Sequence, residues 1–430
     1  MTLPRILAIM GSGETAPTMV STHRSLTSRL PSPAKTVLLD TPYGFQENAP
    51  DLARRAVEYF KTSVNVDITV AGLVRLSDTH LPADPVVVQR GLRAVADADY
   101  IFAGPGSPTY ALRQWSGSPI ARILTEKITT GGIVTFASAA ALTLGKATVP
   151  VYEIYKVGQN VERLDGLDIL SAIGINAAVI PHYDNAEGAN HDTRFCYLGE
   201  TRLRLFETML DEDTWVLGVD EHTGLVIDLE TNTATVVGNG TVTIRLRDTS
   251  LVHPSGSVIP LSTLQDPWSH AGSADTPDAA PSSASNDVRH TENQAPNEPG
   301  SFAEELRLRQ SEFSDALAQR DADSAVRACL ALEQAMHDWS ADTAQSDVLD
   351  RAREALRSMI SQLGDAAVSG VKNPRDVVAP YVEAMLQVRA TVRAEKRYDL
   401  SDILRDAFVN IGIEVRDTAD GVEWNLRDDS

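Results

Sequence analysis

Residues 132–146, Gly-Ile-Val-Thr-Phe-Ala-Ser-Ala-Ala-Ala-Leu-Thr-Leu-Gly-Lys, constrain this chain more than any other stretch. An apolar, β-prone run over 133–136 leads into Ser138, and a small-residue helical stretch follows with no turn between. A strand becomes a helix within one or two residues only through a tight bend, which lifts the central side chain clear of the sheet edge. The helix then points free N–H groups and the positive end of its dipole at whatever sits beside Ser138. Two readings follow from the stretch alone: a nucleophile on an elbow, or an ordinary strand-to-helix junction with a capping serine.

The surrounding pattern favours a sheet that displays this bend. Strand-like runs at 4–10, 36–40, 66–73 and 99–103 alternate with helical periodicity at 50–62, 86–96 and 109–115. Such alternation predicts an α/β fold, a mostly parallel doubly wound sheet with helices on both faces. Ligands of such sheets sit outside the carboxyl ends of the strands. The glycine turn at 11–15 (Gly-Ser-Gly-Glu-Thr), the 41–47 turn, the 104–108 loop (Gly-Pro-Gly-Ser-Pro) and Ser138 are therefore expected on one rim. The glycine turn lacks the spacing of a dinucleotide or phosphate-binding loop.

A further strand ends at Pro181-His182, before a polar loop to about 200 and a helix over 200–210. A histidine there is what a serine nucleophile needs as general base. The alternatives are a loop histidine bonded to a carbonyl, or a metal site drawn from His182, Asp184, Glu187, His191 and Asp192, which no helical histidine pair supports. Past the strand at 215–219, an acid at Asp220 or Glu221 is placed to orient His182, with a surface carboxylate as the plainer reading; Glu153 is a more distant candidate. Strands at 224–229, 233–237 and 241–246, with Gly238-Asn239-Gly240 as a turn, read as an antiparallel extension of the sheet.

From 265 to 301 the composition falls to Ser, Ala, Asp, Pro, Asn and Glu, which predicts a disordered linker between a 1–264 domain and a 302–430 domain. The latter reads as helical over 304–318, 322–339, 347–363, 377–393 and 400–411, a bundle closed by a short β-hairpin. The formal net charge of −21 disfavours non-specific binding to a phosphate backbone. Two cysteines, Cys196 and Cys329, make no disulfide framework, and no apolar run is long enough to span a bilayer. With no charged-then-apolar leader, the expected location is the cytoplasm, away from membranes.

Several landmarks together resemble the dipeptidase E and cyanophycinase family of serine peptidases, which have the class I glutamine amidotransferase-like fold. They are the Gly-Ser-Gly-Glu turn, Phe102-Ala-Gly-Pro-Gly-Ser107, Phe136-Ala-Ser-Ala-Ala-Ala141, Pro181-His182-Tyr183, Gly199-Glu-Thr-Arg202 and Gly218-Val-Asp-Glu-His-Thr223. The resemblance covers residues 1–264. It implies Ser138 as nucleophile, His182 as base and Glu221 as the acid that fixes the imidazole. It further implies the Gly106 and Ala139 N–H groups as oxyanion hole, Gly13 and Arg202 as substrate-binding positions, and no metal or cofactor. Its substrates would be small peptides or amide-linked amino acids. Two positions depart from the family pattern: Ala140 stands where a glycine is expected, and Pro105 replaces the second glycine of a pair. A glutamine amidotransferase is a weaker reading, because the nucleophile position holds serine.

Residues 302–430, most closely 370–426, resemble the C-terminal region of cysteinyl-tRNA synthetase. The match lies in Asn373-Pro-Arg-Asp, Val388-Arg-Ala-Thr-Val-Arg-Ala-Glu-Lys-Arg397, Leu400-Ser-Asp-Ile-Leu-Arg-Asp and Gly412-Ile-Glu-Val-Arg-Asp-Thr. The synthetase's catalytic signatures are absent from the sequence, which excludes aminoacylation. The resemblance implies contact with tRNA or a translation protein, through a basic stripe of Arg389, Arg393, Lys396, Arg397 and Arg405. The competing reading is a solvated helical face whose cations pair with nearby carboxylates. A catalytically inactive binding protein is accordingly the alternative to the hydrolase.

Overall fold

The structure, a computed structural model, describes residues 2–76, 83–187, 191–247, 249–271, 301–340, 346–369, 374–418 and 421–427. The chain divides into two compact units, residues 1–302 with 337–348, and residues 303–336 with 349–430.

Among the described residues, the first unit is built on two large sheets and one separate pair of short strands. Its strands are β1 (Arg5–Met10), β2 (Thr36–Leu38), β3 (Thr69–Val70), β4 (Tyr100–Ala103), β5 (Gly132–Ala137), β6 (Ala147–Thr148), β7 (Leu164–Asp165), β8 (Ala177–Ile180), β9 (Trp215–Val219), β10 (Thr223–Asp228), β11 (Thr233–Gly238), β12 (Thr241–Leu246), β13 (Thr249–Pro254) and β14 (Val258–Pro260). The larger sheet has the order β14-β11-β10-β1-β5-β4-β2-β3. From β1 through β5, β4 and β2 to β3 all pairings are parallel, and β10 joins β1 antiparallel. β5 lies inside this parallel part, flanked by β1 and β4, and all six of its residues are buried. An apolar run buried on both faces is what a central parallel strand requires.

The antiparallel extension does not stay in one sheet. β9 pairs in parallel with β8, and β12 and β13 continue that second sheet, order β13-β12-β9-β8, while β10 and β11 extend the first. Between β9 and β12 the chain changes sheet twice, at Asp220–His222 and at Gly238–Gly240, and it returns to the larger sheet between β13 and β14. Local geometry explains both crossings. His222 is left-handed at φ 51°, and an added Cβ on Gly238 would lie 2.2 Å from the His222 carbonyl oxygen, so only glycine lets the two turns pass. Asp220 Oδ2 accepts the Thr241 N–H at 2.7 Å and its hydroxyl at 2.8 Å, tying one crossing to the other.

Helices form on the larger sheet at Ala49–Tyr59, Pro85–Asp97 and Pro108–Trp115, as the periodicity predicts, and at Ile120–Thr130, which it does not. The strand expected over 66–73 shortens to two residues, and the helix Val151–Tyr155 and the β6–β7 pair have no counterpart in the sequence reading. The helix Gly199–Glu207 is fixed from beneath by Arg245 of β12. That guanidinium is buried and bonds Glu207 and Glu200 at 2.9–3.0 Å.

At the start of the linker expected over 265–301, Leu261–Gln265 and Trp268–Ala271 are short helices; its residues 272–300 lie outside the described residues. Further along the chain Phe302–Ala318, Ala322–Asp338, Ser346–Ser369, Pro374–Ala394 and Tyr398–Asn410 are helical. β15 (Ile413–Thr418) and β16 (Gly421–Leu426) pair as the expected hairpin, whose turn at 419–420 lies outside the described residues.

Candidate functional site

β5 passes into the helix Ser138–Leu142 with no intervening residue, and Ser138 itself takes the left-handed conformation, φ 49°. A non-glycine residue at positive φ is uncommon and strained. Here the strain is what turns the side chain out of the sheet. From Gly132 to Leu142 every residue but Ser138 is buried, so the serine is the point at which this segment reaches solvent.

His182 follows β8 after one proline and is also left-handed, φ 47°. Its carbonyl oxygen accepts the N–H groups of Asn185 (3.2 Å) and Cys196 (3.1 Å). Residues Phe195, Cys196 and Tyr197 are consecutive left-handed residues, and this turn clamps the histidine backbone, since the Phe195 N–H also reaches the Tyr183 carbonyl at 2.9 Å.

The side chains meet across the two sheets. Ser138 Oγ lies 2.9 Å from His182 Nε2, and His182 Nδ1 lies 2.8 Å from Glu221 Oε1. A carboxylate only accepts, so Nδ1 carries the proton and Nε2 is the acceptor for the serine hydroxyl. The histidine is 8% exposed. Burial pushes its pKa down, but the hydrogen bond and charge of Glu221, with Glu14 and Glu187 beyond, more than offset this and hold it above the ordinary histidine value. Burial pushes the Glu221 carboxyl up, and the bonds from His182 and Asn185 reverse that, leaving it below its usual range. Of the alternative acids, Asp220 turns to Thr241, and Glu153 accepts the Thr109 hydroxyl at 3.0 Å. Neither contacts the imidazole.

A cavity of about 220 Å³ opens over Ser138. Gly106 and Ala139 line it, and among the described residues neither of their N–H groups bonds a protein acceptor. Glycine is required at 106: φ is 140° and a Cβ would fall 2.1 Å from the Pro42 carbonyl oxygen. Two backbone donors beside a serine whose proton has a base can stabilise an oxyanion. Both departures from the family pattern are accommodated. Ala140 is fully buried in the core with its N–H on the Gly104 carbonyl at 3.3 Å, and Pro105 lines the cavity mouth.

Two expected substrate-binding positions are elsewhere. Gly13 does not line the cavity, although its neighbours Ser12 and Glu14 do; its φ of 66° and lack of a side chain let the His222 ring pack 2.0 Å from where a Cβ would stand. Arg202 is exposed and donates to the Leu198 carbonyl at 3.4 Å. Its helix turns Leu203 and Phe206 inward, which leaves position 202 outside. The five residues weighed as metal ligands are dispersed among other partners: Glu187 accepts the Tyr197 hydroxyl at 2.7 Å, and Asp192 pairs with Arg194 at 2.8 Å. Asn185, Glu14 and the 195–197 turn carry no mark of a role in the sequence. Polar residues in a polar loop carry no periodic signal, and left-handed backbone at non-glycine residues leaves none at all.

In the second unit Arg389 and Arg393 both bond Asp417 at 2.8 Å, Arg397 pairs with Asp399 at 3.4 Å, and Arg405 with Asp402 at 3.5 Å. Most of the basic stripe therefore faces carboxylates of its own chain.

These features define an α/β unit with a serine, a histidine and a glutamate in hydrogen-bonded series at the mouth of a small cavity. Among solved structures, the chain is similar to a crystal structure of a peptidase from an acI-B1 Actinobacterium, with 21% identity and a TM-score of 0.48, over 60% of this chain and 98% of that one. It is also similar to a protein from Listeria monocytogenes EGD-e assigned as peptidase E, with 14% identity and a TM-score of 0.35, over 55% of this chain and 98% of that one. Among curated proteins it is similar to the cysteine–tRNA ligase of Paenarthrobacter aurescens, 35% identical over 88 residues, which are 19% of this chain and 18% of the ligase. That of Pseudarthrobacter chlorophenolicus is 36% identical over 110 residues, 24% of this chain and 22% of the ligase. The chain thus spans about a fifth of the length of the ligases it matches. No family model matches it.

Proposed function

We propose that the region 1–264 is a serine hydrolase of small peptides or amide-linked amino acids, of the dipeptidase E and cyanophycinase kind. The observation that carries this reading is the unbroken series Ser138 Oγ, His182 Nε2, His182 Nδ1, Glu221 Oε1, with links of 2.9 and 2.8 Å. In the first half-reaction Ser138 Oγ attacks the scissile carbonyl carbon while its proton passes to His182 Nε2. The carbonyl oxygen gains charge beside the N–H groups of Gly106 and Ala139. Glu221 holds the imidazolium in place through Nδ1. The C–N bond then breaks, the leaving amine takes the proton from Nε2, and an acyl-serine remains. Water, deprotonated by the same nitrogen, attacks the acyl carbon; the bond from that carbon to Ser138 Oγ breaks, Oγ takes the proton back from Nε2, and the acid leaves. The small cavity favours short substrates over folded chains.

Mass-spectrometric turnover of a mixed short-peptide pool, including Asp-x and β-aspartyl peptides, tests the reading. Products formed by the wild type and not by Ser138→Ala support it. Equal or absent turnover in both favours a binding protein without hydrolase activity.

A second reading concerns the C-terminal region, for which the ligase similarity favours contact with tRNA or a translation protein. Steeply salt-dependent binding of tRNA is its signature. Binding indifferent to salt argues for the paired-face reading, which the Arg389–Asp417–Arg393 cluster supports.

A further inference from the structure

The turn that carries His182 also carries the groups that hold Glu221. From residues 182–185, Asp184 Oδ1 accepts the Glu221 N–H at 2.7 Å, and Asn185 Nδ2 donates to Glu221 Oε1 at 3.1 Å. Oε1 is the atom that also bonds His182 Nδ1. Asn185 has no solvent exposure. The direction of its amide follows from its partners: the carboxylate only accepts, and on the other side the Glu187 N–H donates to Asn185 Oδ1 at 3.3 Å. A buried donor aimed at this oxygen fixes the rotation of the carboxylate about the last bond of the side chain. The Asp184 contact fixes the backbone end of the same residue. A glutamate has one more torsion than an aspartate, and the two contacts restrict the freedom that the extra methylene adds.

We propose that Asn185 is a positioning residue which, with Asp184, holds the Glu221 carboxylate against the His182 imidazole. The proposal rests on the hydrolase reading above, and its test separates the two. The full chain is treated with an alkyl fluorophosphonate, which needs no knowledge of the natural substrate. The Ser138 Oγ–P bond forms, the P–F bond breaks, fluoride leaves and the hydroxyl proton passes to His182 Nε2. Labelling rates are compared for wild type, Asn185→Ala, Glu221→Ala and the double variant. If Asn185 acts through Glu221, Asn185→Ala slows labelling by about tenfold or more in the native background and by less than about twofold when Glu221 is already alanine. Equal slowing in both backgrounds makes Asn185 merely structural and overturns the proposal, as does no slowing in either. Should Asn185→Ala fail to fold, the isosteric Asn185→Asp gives the same comparison, with a carboxylate in place of the donor. A wild type that is not labelled at Ser138 overturns the hydrolase reading and this proposal with it; a labelled wild type with equal slowing overturns this proposal alone.

Discussion

Ser138 and His182 both adopt the left-handed conformation, at φ 49° and 47°, and their side chains meet at 2.9 Å. Such backbone costs on the order of 1–3 kcal/mol per residue and persists only where the surroundings enforce it. Here β5 and the helix after it enforce the first, and the Asn185 and Cys196 N–H groups enforce the second. Glycine adopts positive φ without that cost. Ser138→Gly is therefore expected to be inactive and to be more stable than Ser138→Ala, by about 1 kcal/mol in a denaturant titration. The same stability for both variants would mean the turn is not strained.

The His182 imidazole is held above its ordinary pKa, against burial, chiefly by Glu221. The neutral form is the base, so kcat/KM on any substrate is expected to rise with pH through a midpoint above 6.5. In Glu221→Gln the raising influence is lost while burial remains. The midpoint is expected to move down, and the plateau to fall by roughly 10²–10⁴. A pH–rate profile of both proteins checks both signs at once.

Gly106→Ala would place a methyl 2.1 Å from the Pro42 carbonyl oxygen and force the 104–106 loop outward. The expected result is a loss of about 10²–10³ in kcat with KM little changed, because an oxyanion donor acts on the transition state. A rise in KM alone would assign Gly106 to ground-state binding.

Arg245 is buried against Glu207 and Glu200, far from Ser138 in the sequence but directly under the helix that follows the histidine loop. Arg245→Ala leaves Glu207 buried without its cation, at a cost of about 3 kcal/mol near neutral pH. The Arg245 bond holds the Glu200 carboxyl at about 2, below its ordinary 4.5. A depressed carboxylate contributes stability above its unfolded pKa and loses it as pH falls through the folded one. The gap in melting temperature between the two proteins should thus be constant above about pH 5 and narrow from about 4.5 towards about 2.

The parts of this molecule legible in the sequence are those set by periodicity. The β5-to-helix passage at Ser138, the alternation around it and the helical second unit all announce themselves by apolar spacing, and the observed elements follow that spacing. The division into two sheets was not legible. It depends on which neighbour β9 and β12 choose, and that choice is made at two turns, His222 and Gly238; the glycines at 238–240 mark a turn, but nothing in their local pattern says that β12 leaves the sheet of β11. The site divides in the same way. Ser138, His182 and Glu221 stand at strand ends, where a sequence reading looks for chemistry. Arg202 drew attention through its motif, yet the motif's ion pair is made by Glu200, two residues earlier, on the buried Arg245 of a distant strand. Asn185 escaped notice because a loop asparagine has the same appearance whether it is solvated or buried on a carboxylate.

The most direct measurement is the site of covalent capture. After exposure of the full chain to a fluorophosphonate, peptide mapping is expected to place the adduct on Ser138 in the wild type and to find almost none in His182→Ala. An adduct elsewhere, or equal labelling of both proteins at Ser138, would contradict a serine activated by this histidine.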